Sequence, residues 1–209
     1  MVRGGIARTR ESTGSAAQVY HYDVFISYER RAEAIAKWVR NHFHPRLCEL
    51  LDGNLDRDVQ VFFDGSVRVG GKWPDELSSA LRHTRILVPV CSPKYFYNEW
   101  CLAEWASMAR REELAGQDRP ATLIYPVIYC DSKNFPPYAH ERRMKNLTEW
   151  NHPYEQFQVS AKYIGFHDEM NRIAAEIEEL LSAAPTWQPD WPVLTPRPDA
   201  APASRFPRL

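Results

Sequence analysis

Trp100 and Glu104 are the first pair in this sequence with the makings of a reactive site. Residues four apart on a helix share a face, so an indole and a carboxylate would stand side by side. An indole can stack on a flat, electron-poor ring such as a pyridinium while the acid reaches the sugar attached to it. A cationic ring that departs as a neutral base needs no proton from a general acid. What must be stabilised is the positive charge growing on the sugar, and one carboxylate near the anomeric carbon can do that. Arg30 and Lys72 each follow a strand-like run, where their charges could meet a diphosphate through charge-assisted hydrogen bonds.

Each of these residues also has a plainer reading. A glutamate on a helix is commonly a solvated surface residue, and Trp100 reads equally well as core. Trp73, just after Gly70 and Gly71, could simply cover the sheet, and Arg30 and Arg31 could be exposed residues at a helix start. The glycine pair fits neither GxGxxG nor GxxxxGK[ST], so it is a weak phosphate cradle. His42 and His44 stand two apart and point to different helix faces. Cys48, Cys91, Cys101 and Cys130 are scattered, with no CxxC or Cys/His ligand spacing. No metal site is expected from such a pattern, and the simplest setting is a reducing, cytoplasmic one.

Periodicity supplies the elements that must position these side chains. Residues 22–28 read as a buried first strand. A helix follows over 31–43, with Ile35, Trp38, Val39 and Phe43 on one stripe, and Pro45 is expected to break or restart it. Strands are predicted at 59–63, 85–91 and 121–130, and helices at 73–83 and 99–113. The last helix is marked by Phe166, Met170, Ile173, Ile177 and Leu180. Residues 131–162 show no clear period, and 163–166 could supply a short fifth strand. Alternating strands and helices predict an α/β, flavodoxin-like three-layer fold, a central parallel sheet of about five strands with helices on both faces. Ligands of such sheets bind outside the carboxyl ends of the strands, which singles out residues 27–31, 64–73 and 92–104.

The chain ends differ in composition. Residues 1–18 are rich in Gly, Ser, Thr and Arg and read as a disordered leader; 19–183 form the domain; 184–209 read as a proline-rich tail or linker. Trp187, Trp191 and Phe206 could dock that tail on the domain. The net charge of −1, with no basic block, argues against direct nucleic-acid binding. No apolar run approaches the roughly 18 residues of a membrane span, and the leader has no apolar core to act as a secretory signal.

Three segments together resemble Toll/interleukin-1 receptor (TIR) domains. Tyr22-Asp-Val-Phe-Ile-Ser-Tyr28 looks like the family's first signature box. Phe63-Asp64 with Gly71-Lys72-Trp73 is similar to its second strand and the following BB loop. Ser92-Pro-Lys-Tyr95 with Trp100-Cys101-Leu-Ala-Glu104 is similar to the segment that holds the catalytic glutamate of enzymatic members. The resemblance implies that Glu104 is the catalytic carboxylate of an NAD glycohydrolase or ADP-ribosyl cyclase. NAD would be its substrate, with no cofactor. It further implies that Tyr28, Arg30, Trp73 and Trp100, with Lys72, line the nucleotide pocket. Homotypic TIR–TIR assembly into an oligomer or filament would activate it, on a signal or partner the sequence does not name. The setting implied is a bacterial-type effector in innate immunity, as in antiviral defence against phage. The chain departs from the pattern where many relatives place an acid four or five residues after the box serine, because Arg31 and Ala32 stand there.

Three rivals share the architecture. A non-enzymatic TIR scaffold or adaptor would use the same surfaces for assembly alone, but such adaptors often lack the acid kept here at Glu104. A phosphoacceptor receiver domain needs acids where Ser27 and Cys91-Ser92 stand. A nucleoside deoxyribosyltransferase-like enzyme also uses a glutamate, and the signature boxes favour the TIR reading over it.

Overall fold

In the computed structural model, which describes residues 19–63, 73–116, 121–130 and 133–196, the first strand lies inside the sheet. β1 (Tyr22–Tyr28) has five consecutive buried residues, as a strand covered on both faces requires. It pairs in parallel with β2 (Val61–Phe63) on one side and β3 (Thr84–Cys91) on the other. β4 (Val127–Ile128) and β5 (Lys145–Asn146) follow, giving the all-parallel order β2-β1-β3-β4-β5. That is the flavodoxin-like winding, whose ligand crevice opens beside β1 and β3 where the order reverses.

The helix after β1 does not break at Pro45. α1 (Glu33–Trp38) passes through a π-helical turn (Val39–Phe43) into α2 (His44–Asn54). A proline ring crowds the carbonyl four residues back and offers it no N–H. The wider turn, closed by the His44 N–H on the Val39 carbonyl, opens the helix just before the ring. The Asn41 carbonyl that Pro45 leaves without a donor accepts from Gln158 Nε2 at 3.1 Å.

The fourth strand is shorter than its apolar run. Leu87 N–H bonds the Leu123 carbonyl, and Tyr125 N–H bonds Leu87, but only Val127 and Ile128 continue the ladder. Pro89, two residues beyond Leu87, faces the same way and has no N–H to give. The fifth strand is Lys145–Asn146 rather than residues 163–166, which open α6 (Lys162–Ala183). Phe166 starts the buried stripe of that helix with Met170, Ile173 and Ile177, and Leu181 completes it while Leu180 is half-buried. Gly165 lets the first turn of α6 lie close to Trp150, since a Cβ there would sit 3.3 Å from the indole nitrogen.

Two helices flank the crevice, α3 (Trp73–Arg82) and α4 (Glu99–Ala115), and a short α5 (Pro137–His140) precedes β5. Beyond α6 the chain turns back over α3 and α4. Trp187 Nε1 donates to the Arg82 carbonyl at 3.1 Å and its ring stacks on His83. Trp191 is buried beneath the Arg111 guanidinium, and Leu194 N–H donates to Ser107 Oγ at 2.8 Å. Residues 1–18 and Phe206 lie outside the described residues. Among the described residues, no helix is long and apolar enough to cross a membrane.

Candidate functional site

The carboxyl end of β1 and the amino end of α4 are tied together by one side chain. Asn98 is the N-cap of α4: its Oδ1 accepts from the N–H groups of Trp100 (2.9 Å) and Cys101 (3.1 Å). An N-cap satisfies donors that the first helical turn leaves unpaired. The Asn98 amide in turn donates to Glu29, just past β1, and the other Glu29 oxygen accepts from Arg31 N–H at 2.9 Å. Glu29 is buried, so this junction is fixed from inside.

That fixed start sets the phase of α4. Cys101, Glu104, Trp105, Met108 and Arg111 fall on its buried face. Glu104 is only 6% exposed, and its Oε2 accepts from Ser27 Oγ at 2.5 Å. Ser27 Oγ lies 2.9 Å from Tyr95 Oη, which reaches the Cys101 carbonyl at 3.3 Å. Burial pushes the Tyr95 phenol well above its usual range, with the neighbouring Cys101, Glu104 and Cys91 adding to the rise. Burial likewise pushes the Cys101 thiol up, helped by the charges of Glu104 and Glu29. Both groups are therefore neutral, and the hydroxyls supply hydrogen bonds rather than charge.

Tyr28, Arg30, Trp100 and Glu104 line one cleft, together with Ser27, Arg31, Leu77 of α3, Asn98 and Cys101. The cleft encloses ≈ 500 Å³ of atom-free space, mouth included. Lys72 and the side chain of Trp73 lie outside the described residues, and Trp73 is placed only as the residue that opens α3. A larger hollow between α4 and α5 is lined by Leu102, Trp105, Tyr138 and Arg142, but its acids, Glu113 and Glu141, are exposed. Asp23, also buried, stands at the other end of β1. Arg57 grips it with two hydrogen bonds of 2.7 and 2.8 Å, and Gln60 N–H adds a third at 3.1 Å. Its partners make Asp23 a brace for the sheet edge. Among the described residues, no group of three or more His, Cys, Asp or Glu is placed to hold a metal ion.

Sequence reasoning named Tyr28, Arg30, Trp100 and Glu104 one by one, whereas Glu29, Tyr95 and Asn98 fell inside the segments it singled out without being given a role. Asn98 had a signal, since an Asn directly before a helical pattern is a preferred N-cap. Glu29 had none: in a Glu-Arg-Arg run it reads as one more surface charge. Tyr95 is reached through Ser27, a contact between residues 68 positions apart.

The family model described as TIR domain matches residues 24–161. A probable 2′ cyclic ADP-D-ribose synthase from Brachypodium distachyon is 28% identical over 160 residues, which is 72% of this chain and 67% of that protein. A probable disease resistance protein of Arabidopsis thaliana is 23% identical over 176 residues, 80% of this chain but 14% of that much longer protein. Among solved structures, the TIR domain of a Toll-related receptor from Hydra magnipapillata is 15% identical with a TM-score of 0.45, covering 71% of this chain and 98% of that one.

Proposed function

This chain belongs to the TIR domain family, and from that premise we propose that it cleaves NAD between nicotinamide and ribose, with Glu104 as the catalytic carboxylate. The observation that supports this most is the position of Glu104: buried, held by Ser27, and lining the cleft at the carboxyl end of β1 between α3 and α4. The similarity to a plant protein named as a cyclic ADP-ribose synthase points the same way.

In the proposed reaction the C–N bond breaks and nicotinamide leaves with the electron pair, as a neutral molecule. The ribosyl carbon becomes electron-poor, and the Glu104 carboxylate stabilises it. Water then forms the new C–O bond and gives up one proton, so the products are nicotinamide, ADP-ribose and a proton. Attack by a ribose hydroxyl of the same molecule would give a cyclic product instead. Trp100 offers a face to the pyridinium, while Arg30 and Lys72 meet the diphosphate. Tyr28 forms part of the cleft wall, and the TIR resemblance assigns Trp73 to the same pocket.

The same proposal includes homotypic assembly, with activity rising when copies cluster, and a role in immune defence. The test is incubation of concentrated, self-associated protein with NAD while free nicotinamide is followed. Release that depends on Glu104 supports the enzyme. Its absence in wild type under clustering conditions leaves a TIR interaction module.

A further inference from the structure

A carboxylate that stabilises a cation and then takes a proton from water must be comfortable in two protonation states. In water that is trivial, but Glu104 is 6% exposed, Ser27 1% and Tyr95 0%. A buried donor without an acceptor costs far more than the mean hydrogen bond contributes. The surroundings of Glu104 must therefore satisfy both states from the same few atoms.

We propose that Glu104, Ser27, Tyr95 and the Cys101 carbonyl form one hydrogen-bond chain that runs in either direction, and that its reversal keeps Glu104 satisfied both as the carboxylate and as the neutral acid. The three links are 2.5 Å from Glu104 Oε2 to Ser27 Oγ, 2.9 Å on to Tyr95 Oη, and 3.3 Å on to the Cys101 carbonyl. A hydroxyl carries one proton and can also accept. With Glu104 ionised, Tyr95 donates to Ser27 and Ser27 donates to Oε2. With a proton on Oε2, Glu104 donates to Ser27, Ser27 to Tyr95, and Tyr95 to the Cys101 carbonyl. Every hydroxyl proton has an acceptor in both directions.

The chain is not a proton wire. Its far end is a helix carbonyl, and Tyr95 is fully buried and keeps its proton. Only the two hydroxyl rotors turn, so the proton that arrives on Glu104 leaves through the cleft by which it came. Other charged and titratable groups surround it: Arg30 and Arg31 from the end of β1 line the same cleft as Glu104, and the Cys101 thiol of α4 feels the charges of both Glu104 and Glu29. From α3 the cleft receives Leu77, which is uncharged. These neighbours are the same in each variant below. Ser27 and Tyr95 are positioning residues in this account. The use of the chain during turnover rests on the NAD-cleaving reading; the chain itself does not.

The test is a pH titration of the Glu104 side-chain carboxyl by ¹³C NMR, in protein labelled at glutamate Cδ, with the signal assigned by its loss in Glu104→Gln. Ser27→Ala removes the donor to the carboxylate and raises the midpoint by on the order of one pH unit. Tyr95→Phe keeps the ring but leaves the Ser27 proton with only the weakly accepting Cys101 sulfur once Glu104 is neutral, so the midpoint falls. Ser27→Thr, which keeps the hydroxyl, restores the wild-type midpoint. Should Tyr95→Phe not fold, 3-fluorotyrosine at position 95, a stronger donor and weaker acceptor, lowers the midpoint instead. Opposite shifts for Ser27→Ala and the position-95 variant support the reversible chain. Shifts in the same direction, or none at position 95, overturn it. The measurement needs no turnover, so it fails separately from nicotinamide release.

Discussion

Asn98 joins Glu29 to the first turn of α4, donating to the buried carboxylate with its amide and capping the helix with its oxygen. The strand that carries Ser27 and the helix that carries Glu104 are thereby held in one register. Asn98→Ala removes the cap, which costs about 1 kcal/mol, and also strips a donor from Glu29. The expected total is about 2 to 3 kcal/mol in urea unfolding. Asn98→Asp separates the two roles. It caps as well as Asn but sets a second carboxylate against Glu29, so it should destabilise as well; an Asp variant as stable as wild type contradicts the pairing.

The buried arginine on the same helix makes a second prediction. Arg111 is 1% exposed and donates to the carbonyls of Leu81 and Pro192, with Trp191 stacked on its guanidinium. Burial pulls its pKa down to about 10, so it remains charged at neutral pH. The segment from Trp187 to Leu194 thus shelters a charge on α4 as well as covering apolar surface. Trp191→Ala is expected to cost about 3 kcal/mol and to release Trp187, seen as a rise in protease sensitivity after α6. Unchanged stability and protection would mean that the segment lies on the domain without supporting it.

His42 sets a pH dependence. It is buried in the π-helical turn against Phe157, and burial lowers its pKa, partly offset by the backbone of Tyr154 and Pro153 and by the charge of Glu155. The folded state then binds its proton less readily than the unfolded chain. The stability linked to His42 is complete above the ordinary histidine range and is lost as pH falls through the lower folded value. His44, also lowered by burial, adds in the same direction. Urea midpoints of wild type should drop on acidification below about pH 6.5 more steeply than those of His42→Gln. Parallel curves would show that the imidazole does not titrate on unfolding.

Assembly predicts a kinetic signature. If a neighbouring copy completes the cleft, nicotinamide released per molecule should rise with protein concentration and with crowding agent. Specific activity that stays constant down to the lowest dilution contradicts that part of the account.

The sequence disclosed the alternation of strands and helices because each buried face has its own period, and it singled out Glu104 through the TIR resemblance, with Trp100 one turn away as support. It did not disclose the continuous helix through Pro45, since the compensating donor, Gln158, is 117 residues away. The fifth strand was hidden for a different reason. Two residues, Lys145 and Asn146, are too few to show a period, whereas the apolar residues 163–166 mimic a strand while starting a helix. Glu29 and Tyr95 support the cleft through hydrogen bonds to Asn98 and Ser27 made only after folding, so their segments stood out in the sequence but their roles did not.

The central claim is that one buried carboxylate does the chemistry, and nicotinamide release from NAD by wild type and by Glu104→Gln at high protein concentration tests it most directly. The substitution keeps the size of the side chain and removes the negative charge that stabilises the sugar cation. The account predicts steady release by wild type and a loss of at least about a hundredfold in the variant. Equal rates in the two proteins, or no release from clustered wild type, would contradict it.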